Sequence, residues 1–399
     1  MNVAIITSGF LPVIDGVSIS QIHRLHHLSQ QGHRVLLLHP HYPQGNDAST
    51  LQLPGVTCVP LPSISFLGVE GERNVTPAAN GVLNRVLGEF QPDIIHVDEP
   101  ERLWLGFLRY PALRFARRHH IPCTAFFHSN LIEYLEDYFD IPRPILRGIQ
   151  YLLTANLPRI YNRYDLTLTA SSITAETLHN RGIKNIVCDD FLGFDLDRFQ
   201  PQKLRNPNFF SHRYGLPKLE NHLKIAFLGR LTPDKGWSFF LKVLPQLSQI
   251  LDLNRIVFLI GGDGELRDPI REKFAQFTPH FYQLGRLSPE AVPAFLANSD
   301  IYLTTSTKET RGLTVIEALA CELPVLAPNA GGIPDTIRDG WNGLLFKPGD
   351  RADFLTKFQQ LSNNVELRKS LGQRGRKSVE TLTWENAVTK LVNLWRKLQ

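Results

Sequence analysis

The sequence has few of the features that mark a membrane-spanning, secreted or metal-binding protein. No apolar run in its 399 residues approaches the roughly 20 residues that a transmembrane helix needs. The N-terminus lacks the basic start and small-residue cleavage site of a signal peptide, so we expect the short apolar run 3–6 to be a buried strand. The four cysteines, which show no paired spacing typical of zinc or redox sites, are Cys58, Cys123, Cys188 and Cys321. These absences favour a cytoplasmic protein with reduced thiols.

The chain is longer than one hydrophobic core usually supports, so we expect two domains. Its apolar fraction of 43% and charged fraction of 20% are ordinary for a soluble globular protein. We find no internal repeat and no low-complexity segment. Composition therefore excludes fibrous, repetitive and disordered classes of protein.

Basic residues are unevenly placed, although the formal net charge is only +5. Residues 102–118 contain five arginines and residues 143–163 contain four, with no carboxylate in either segment. Aromatic and leucine side chains lie among these arginines, a pattern that suits an anionic membrane surface. Solvated helix faces, with arginine stems over a core, explain the same pattern. Nucleic acid is a weaker third interpretation, because no nucleic-acid-binding motif accompanies the arginines.

Short apolar runs alternate with amphipathic helical ones, which predicts an α/β fold with parallel sheets. We predict two Rossmann-like, doubly wound domains that face a central cleft, because ligands of such sheets bind at the carboxyl ends of the strands. The first domain spans 1–200, with the C-terminal helix 384–399 packing back on it, and the second spans 201–383. The polar, proline-containing stretch 189–224 is interpreted as an interdomain linker. Predicted strands are 3–6, 35–39, 94–97, 123–127, 166–169, 185–188, 224–228, 255–260, 281–284, 301–305 and 325–327.

One stretch, residues 306–320, places two carboxylates beside a predicted helix N-terminus. Glu309 is expected on the loop and Glu317 about one turn inside the helix. The backbone N–H groups of Gly312, Leu313 and Thr314 would lie between them, where unpaired donors and the helix dipole favour an anion. An ordinary first-turn carboxylate without any ligand is the alternative interpretation of Glu317.

Three further strand-end loops carry candidate ligand-binding residues. Arg230 and Lys235 follow the predicted strand 224–228, and this pair of cations suits a diphosphate. Gly16 and Val17 follow the first strand, and Gly262 lies in the Gly-Gly-Asp-Gly sequence after the strand 255–260. Glycine allows close approach of a ligand to the backbone, but tight turns use glycine for geometry alone.

The order of these motifs resembles the large family of retaining glycosyltransferases with the GT-B fold, of the group 1 or family 4 type. The resemblance covers nearly the whole chain, and its most specific motifs lie in the C-terminal half. They are Gly229-Arg-Leu with Lys235-Gly, Gly261-Gly-Asp-Gly264, Glu309-x7-Glu317, Ala330-Gly-Gly-Ile-Pro-Asp335 and Asp339-Gly-x-Asn-Gly343.

The resemblance implies a transfer of a sugar from a nucleotide donor. Arg230 and Lys235 would neutralise the donor diphosphate, Glu309 would bind the hydroxyls of the sugar, and Glu317 would bind those of the ribose. His128, in Phe126-Phe-His-Ser, matches a histidine that such enzymes place near the reacting sugar. A lone histidine after a strand is otherwise more often structural.

Backbone groups would complete the implied donor site. Phosphate oxygens would meet amides at Gly16, Val17 and Gly312 to Thr314, and the nucleobase would meet Arg286 and Leu287. The chain has no Asp-x-Asp motif in a glycine- or serine-rich strand-end loop. We therefore expect no metal, with fixed positive groups and a helix N-terminus stabilising the leaving diphosphate. Arg311 stands where relatives often have an aromatic, glutamine or leucine, and it could meet a ligand or point to solvent.

The N-terminal half most resembles sulfolipid and galactolipid synthases, which add a sugar to diacylglycerol-type lipids. The motifs that carry this likeness are Ser8-Gly-Phe-Leu-Pro, Pro92-Asp-Ile-Ile-His96 and Phe126-Phe-His128-Ser. The resemblance implies a UDP-linked hexose donor, a glycerolipid acceptor and peripheral association with an anionic membrane. Alternatives are a soluble sugar or polysaccharide acceptor, a nucleotide-sugar epimerase and a non-catalytic nucleotide-sugar sensor.

Overall fold

A computed structural model describes residues 1–13, 16–43, 51–66, 73–128 and 142–399 of the chain. These residues form two compact units. The first contains the described residues up to 193 together with the C-terminal segment 384–399, and the second contains 194–383. The second unit begins at Phe194, which is a few residues before the predicted boundary at residue 200.

Within its described residues, the first unit has a parallel sheet of seven strands in the order β3-β2-β1-β6-β7-β8-β9. The central strands β1, β6 and β7 are almost entirely buried because helices cover both faces of such a sheet. Strand β3 at the edge was not predicted, and only one of its six residues is fully buried. The strands, with the antiparallel hairpin β4–β5, are β1 (Asn2–Ile6), β2 (Arg34–Pro40), β3 (Val56–Leu61), β4 (Ser63–Ser65), β5 (Arg73–Val75), β6 (Ile94–Asp98), β7 (Cys123–Phe126), β8 (Leu166–Thr169) and β9 (Ile186–Cys188).

Helices connect these strands, as expected for right-handed crossovers between parallel neighbours. No helix among the described residues of either unit is long and apolar enough to cross a membrane. The helices between the strands of the first unit are α1 (Gly16–Gln30), α2 (Ala79–Phe90), α3 (Pro100–Phe107), α4 (Leu113–His119), α5 (Arg143–Tyr161) and α6 (Ser172–Asn180).

The second unit repeats the architecture, with six parallel strands in the order β12-β11-β10-β13-β14-β15 among its residues. They are β10 (Leu223–Leu228), β11 (Ile256–Gly261), β12 (Phe281–Gly285), β13 (Ile301–Leu303), β14 (Val325–Pro328) and β15 (Leu344–Phe346). The helices of the second unit are α7 (Pro201–Leu204), α8 (Phe209–Tyr214), α9 (Trp237–Ile250), α10 (Arg267–Ala275), α11 (Val292–Ala297), α12 (Leu313–Ala320), α13 (Arg351–Asn363) and α14 (Val365–Val379).

The last helix, α15 (Trp384–Arg396), belongs to the first unit. The Trp384 ring stacks on His23 of α1 at a centroid distance of 5.0 Å. Trp395 is fully buried and meets the His96 ring at 5.3 Å. Apolar residues at positions three and four apart put both tryptophans on the buried face of this helix.

The predicted linker 189–224 is wrong for most of its length, because this stretch packs into the second unit. Phe194 donates its backbone N–H to the Leu382 carbonyl at 3.0 Å. Phe199, Phe210 and Leu219 are buried in the hydrophobic core of that unit. Helices α7 and α8 are too short to show a helical period, so the sequence was interpreted from its prolines and polar residues alone.

A buried carboxyl joins α3 to α5. The Tyr161 hydroxyl donates a hydrogen bond to Glu101 Oε2, and both side chains are buried. Burial, with the nearby Glu99 carboxylate adding to it, raises the pKa of Glu101 from 4.5 to about 8. The carboxyl is therefore neutral in the folded protein at pH values where an exposed glutamate is ionised.

Replacing Glu101 with Gln is expected to remove a loss of stability that the wild type shows between pH 4.5 and about 8. The folded state binds the Glu101 proton more tightly than the unfolded chain does, so ionisation in this range favours unfolding. Urea unfolding at about pH 5 and about pH 8.5 measures the effect as a smaller fall in the free energy of unfolding. The exposed Glu89→Gln serves as the control. An unchanged pH dependence in Glu101→Gln would contradict this account.

Candidate functional site

The predicted ligand-binding loops of the second unit lie at the carboxyl ends of four neighbouring strands. Arg230 and Lys235 follow β10, Gly262 follows β11, Arg286 follows β12 and Glu309 follows β13. The sheet places these strands side by side in the order β12-β11-β10-β13, and all of them are parallel. The loops therefore lie along one edge of one sheet, which is the usual ligand-binding edge of such folds.

Lys235 and Glu309 form an ion pair at the centre of this edge. Lys235 Nζ lies 2.7 Å from Glu309 Oε1, and both side chains are partly buried. Burial alone would lower the pKa of Lys235, but Glu309 and Asp234 outweigh it and raise that pKa. The Lys235 ammonium group is therefore positively charged, and the ion pair holds it beside the Glu309 carboxylate.

Asp234 is a buried carboxylate that sequence reasoning missed. Its Oδ2 atom lies 3.5 Å from Arg230 and 3.7 Å from Lys235, the two predicted diphosphate-binding cations. Ser306 donates its hydroxyl to the Asp234 carbonyl at 3.2 Å, which ties this loop to the chain after β13. The sequence did contain a signal for Asp234, because this acidic residue directly precedes Lys235 and lies four residues after Arg230.

Glu317 lies in the second turn of α12 and is partly buried. Burial raises the pKa of its carboxyl to about 7, against the smaller opposite effect of Arg198. Gly312 caps the N-terminus of the same helix with φ +68°, a conformation that favours glycine. Leu313 and Thr314 are the first two residues of the helix. The Tyr302 hydroxyl donates a hydrogen bond to Thr314 Oγ1 at 2.8 Å.

The glycines of two loops are explained by the contact of those loops with each other. A Cβ atom at Gly262 would lie 1.8 Å from the Gly229 carbonyl oxygen, and one at Gly264 would lie 2.6 Å from the Leu231 oxygen. The backbone of the loop after β11 therefore packs directly against the loop after β10. This contact explains the glycines at 262 and 264 without a ligand. The role of Gly262 in donor binding stays a prediction.

The other predicted donor-binding residues also stay predictions, and they lie on both units. Arg286 is exposed directly after β12, and Leu287 packs against the core. Gly16 and Val17 open α1 of the first unit, while residues 14 and 15 of the same loop lie outside the described part of the chain. Arg311 is only 6% exposed, so its side chain is not directed into solvent.

His128 lies in a buried polar cluster of the first unit, just past the end of β7. Its Nε2 atom is 2.5 Å from Oδ1 of Asp98, the last residue of β6. Arg24 Nη1 lies 3.2 Å from both carboxylate oxygens, and Gln21 also donates to Asp98. Sequence reasoning found His128 but missed its partners, although Asp98 directly follows the predicted strand 94–97 at the same edge of the sheet.

Asp98 remains ionised although it is fully buried. Burial by itself would raise the pKa of Asp98, but Arg24 and the two histidines outweigh it and hold that pKa well below its usual range. His96, whose Nε2 atom lies 3.6 Å from Asp98, has its pKa lowered to about 4 by burial. The cluster thus contains a buried carboxylate whose charge is balanced by a guanidinium.

Two such α/β units, with charged strand-end loops along the second sheet, are the arrangement that the sequence motifs predicted. The family description "Glycosyl transferases group 1" matches residues 210–378, and "Glycosyltransferase Family 4" matches residues 14–188. The chain belongs to this family of glycosyltransferases. The family assignment that the motifs implied is therefore confirmed, and so is the enzyme class.

Relatives with named activities align along much of the chain. It is 30% identical over 388 residues to a GDP-mannose-dependent alpha-mannosyltransferase of Mycobacterium tuberculosis, covering 96% of this chain and 93% of that protein. It is 29% identical over 339 residues to the sulfoquinovosyl transferase SQD2 of Arabidopsis thaliana. That alignment covers 80% of this chain and 62% of the plant protein.

Solved structures share the fold at low sequence identity. Sucrose-phosphate synthase from Thermosynechococcus elongatus superposes with a TM-score of 0.78 at 18% identity, covering 100% of this chain and 98% of the other. Anabaena Alr3699/HepE in complex with UDP and glucose gives 0.73 at 15% identity, with 100% of both chains covered. The predicted α/β class with the GT-B fold is confirmed.

Replacing Gly236 with Ala is expected to destabilise the protein more than replacing Gly349 with Ala. Both glycines have similar positive φ angles, +74° and +78°, but only Gly236 would bring a Cβ atom to 2.1 Å from the Thr305 carbonyl oxygen. The left-handed conformation costs each alanine about 1–2 kcal/mol, and the contact at residue 236 adds at least about 1 kcal/mol more. Urea unfolding measures both variants, and equal losses would contradict the packing of these two loops.

Proposed function

We propose that this glycosyltransferase retains the anomeric configuration of a hexosyl group as it moves that group from a nucleotide sugar to a membrane glycerolipid. The acceptor would be diacylglycerol or glycosyl-diacylglycerol. The observation that carries the lipid assignment is an exposed surface of apolar and arginine side chains on α3 and α5 of the first unit. We name this the α3–α5 surface, and its apolar members are Leu105, Leu108, Ile145, Ile149, Tyr151 and Leu152.

Large apolar side chains protrude from this surface instead of packing in the core. Leu108 is 71% exposed, Ile145 58% and Leu152 63%. Leu108 also has a left-handed backbone with φ +53°, which is uncommon for leucine. Inserting such side chains into the acyl boundary would contribute up to about 1.5–3 kcal/mol each.

The charged side chains of α5 are all arginines. The described helix α5 carries exposed Arg143, Arg147 and Arg159 and contains no carboxylate. Each arginine near an anionic bilayer contributes about 1 kcal/mol to binding, and salt screens this attraction. A peripheral enzyme that collects its acceptor from an anionic membrane would benefit from both features.

The donor would bind along the strand ends of the second unit. Arg230 and Lys235 would neutralise the diphosphate, Glu309 would position the sugar hydroxyls, and Glu317 would bind the ribose. A phosphate group that binds beside Lys235 would accept hydrogen bonds from the Lys235 ammonium group, which now donates to Glu309. The Glu309 carboxylate would then be able to accept hydrogen bonds from the sugar hydroxyls. The Lys235–Glu309 contact therefore links diphosphate binding to sugar positioning.

The transfer would need no separate base. The bond from the anomeric carbon to the diphosphate oxygen breaks as the acceptor oxygen bonds to that carbon from the same face. The acceptor hydroxyl proton passes to the departing phosphate oxygen. Fixed cations and the amides at the N-terminus of α12 would stabilise the charge that develops on this oxygen. We propose that no metal takes part, and unchanged activity in the presence of a chelator is the expected result.

The nucleotide is proposed to be UDP, from the likeness to glycolipid synthases. The mannosyltransferase relatives use GDP-mannose, so guanosine is the competing base. A thermal-shift screen of UDP- and GDP-linked hexoses separates the two, because the donor that binds the folded enzyme raises its midpoint of unfolding.

Replacing Glu309 with Ala is expected to lower kcat by about 100-fold or more, because the sugar loses a positioning contact in the transition state. Release of the nucleoside diphosphate in the presence of lipid measures the change. Glu272→Ala, at an exposed position on α10 in the same unit, is the matched control. Full activity of Glu309→Ala would rule out the proposed role.

The protein is expected to sediment with anionic liposomes at low salt and to be released as salt rises. The triple change Leu108→Ser, Ile145→Ser and Leu152→Ser should weaken binding at every salt concentration, because it removes apolar insertion and keeps the arginines. A matched control replaces three exposed apolar residues elsewhere: Ile64, Ile250 and Val365. Wild-type protein that stays in the supernatant at low salt, or a triple variant that binds like the control, would contradict the membrane assignment.

Nucleoside diphosphate release with and without lipid separates the other functions. Release that needs lipid supports the proposal, whereas release with a soluble sugar acceptor supports a polysaccharide or glycoside transferase. Interconversion of the donor sugar without release identifies an epimerase. Donor binding with neither reaction identifies a sensor.

A further inference from the structure

We propose that Asp98 is a positioning residue that fixes one tautomer of His128, so that His128 Nδ1 accepts a hydrogen bond from a substrate hydroxyl. The contact to substrate rests on the role proposed above for His128. The tautomer itself rests on the buried cluster of the first unit.

The geometry gives the carboxylate a fixed position. Asp98 ends β6, next to β7, and is completely buried. Arg24 Nη1 approaches both oxygens at 3.2 Å, and Gln21 donates to Oδ2. Three donors from helix α1 and the loop after β7 therefore converge on one side chain, since His128 reaches Oδ1 at 2.5 Å.

The charge state of Asp98 decides the direction of the His128 hydrogen bond. An ionised carboxylate only accepts hydrogen bonds. Because Arg24 keeps Asp98 ionised, the Nε2 atom of His128 has to carry the proton of this bond. A neutral ring held in this way offers Nδ1 as an acceptor.

Packing holds the ring in the same orientation. His128 stacks on the Phe126 ring at a centroid distance of 4.2 Å and an angle of 23°. The Arg24 guanidinium also lies over the Phe126 ring, 5.4 Å from its centroid. The imidazole is thus fixed by a hydrogen bond at Nε2 and by an aromatic face, and the described residues of the cluster leave Nδ1 available for a substrate.

His96 completes the cluster without competing for this role. Its Nδ1 atom lies 2.8 Å from the Thr124 hydroxyl, and its ring packs against Trp395 of α15. Burial keeps the pKa of His96 at about 4, so this histidine stays neutral at physiological pH. The Arg24 guanidinium then balances the Asp98 charge, and the His128 hydrogen bond does not require a positive ring.

Nitrogen-15 NMR of histidine-labelled protein at a pH near 8 tests the tautomer directly. The signal of His128 is identified as the one that His128→Gln removes. The wild type is expected to show the Nε2–H tautomer, and Asp98→Asn is expected to show a mixture of tautomers. In the same variant kcat should fall about 10-fold or more, while the donor KM changes by less than about 3-fold, because ring orientation matters most in the transition state.

Glu101→Gln is the matched control, since it neutralises another buried carboxyl of the same unit that is bonded to Tyr161. It should leave both the His128 signal and kcat unchanged. An Nδ1–H tautomer in the wild type overturns the inference, and this result does not depend on the folding of Asp98→Asn. Wild-type kcat with a retained Nε2–H signal in Asp98→Asn also overturns it. Full activity of His128→Ala would instead overturn the proposed substrate contact and leave the tautomer result standing.

Discussion

Parallel pairing of strands is the constraint on which both units depend. In the second unit it brings four strand ends, from β10 to β13, to one edge of the sheet. The chain after those strands then supplies Lys235 and Glu309 from loops that are distant in sequence, and their side chains meet at 2.7 Å. The same rule in the first unit brings Asp98 and His128 together from neighbouring strands β6 and β7.

Each edge contains a buried carboxylate that is balanced by cations. In the second unit Asp234 lies between Arg230 and Lys235, and in the first unit Asp98 is held by Arg24. A buried ion pair contributes little net stability, but removal of one partner is costly because the other charge is left uncompensated. Such pairs are therefore better understood as devices that fix the position and charge of nearby side chains. Lys235 and His128 are the side chains that they fix here.

Much of this could be predicted from the sequence, because the strongest signals are local. Continuous apolar runs marked the buried strands, and the order of glycine, arginine and glutamate motifs indicated the family. The stretch 189–224 was misinterpreted because its contributions to the core come from isolated aromatic residues such as Phe194 and Phe210, which have no period.

The residues that contact the candidate site residues could not be predicted from the sequence, for a different reason. Asp98, Arg24 and His128 come from separate elements, and only the fold brings them within hydrogen-bonding distance. Burial is also invisible in the sequence: Arg311 could have pointed to solvent, and the structure shows it buried. Pattern reasoning therefore found the loops that carry the chemistry and missed the contacts that orient their side chains.

The lipid acceptor is the central claim, and it connects the α3–α5 surface with the chemistry of the second unit. Mass spectrometry of the lipid extract, after incubation of the enzyme with a nucleotide hexose and anionic vesicles that contain diacylglycerol, tests it most directly. We predict a hexosyl-diacylglycerol whose sugar keeps the anomeric configuration of the donor. Nucleoside diphosphate release with the sugar recovered only on a soluble acceptor would contradict the account.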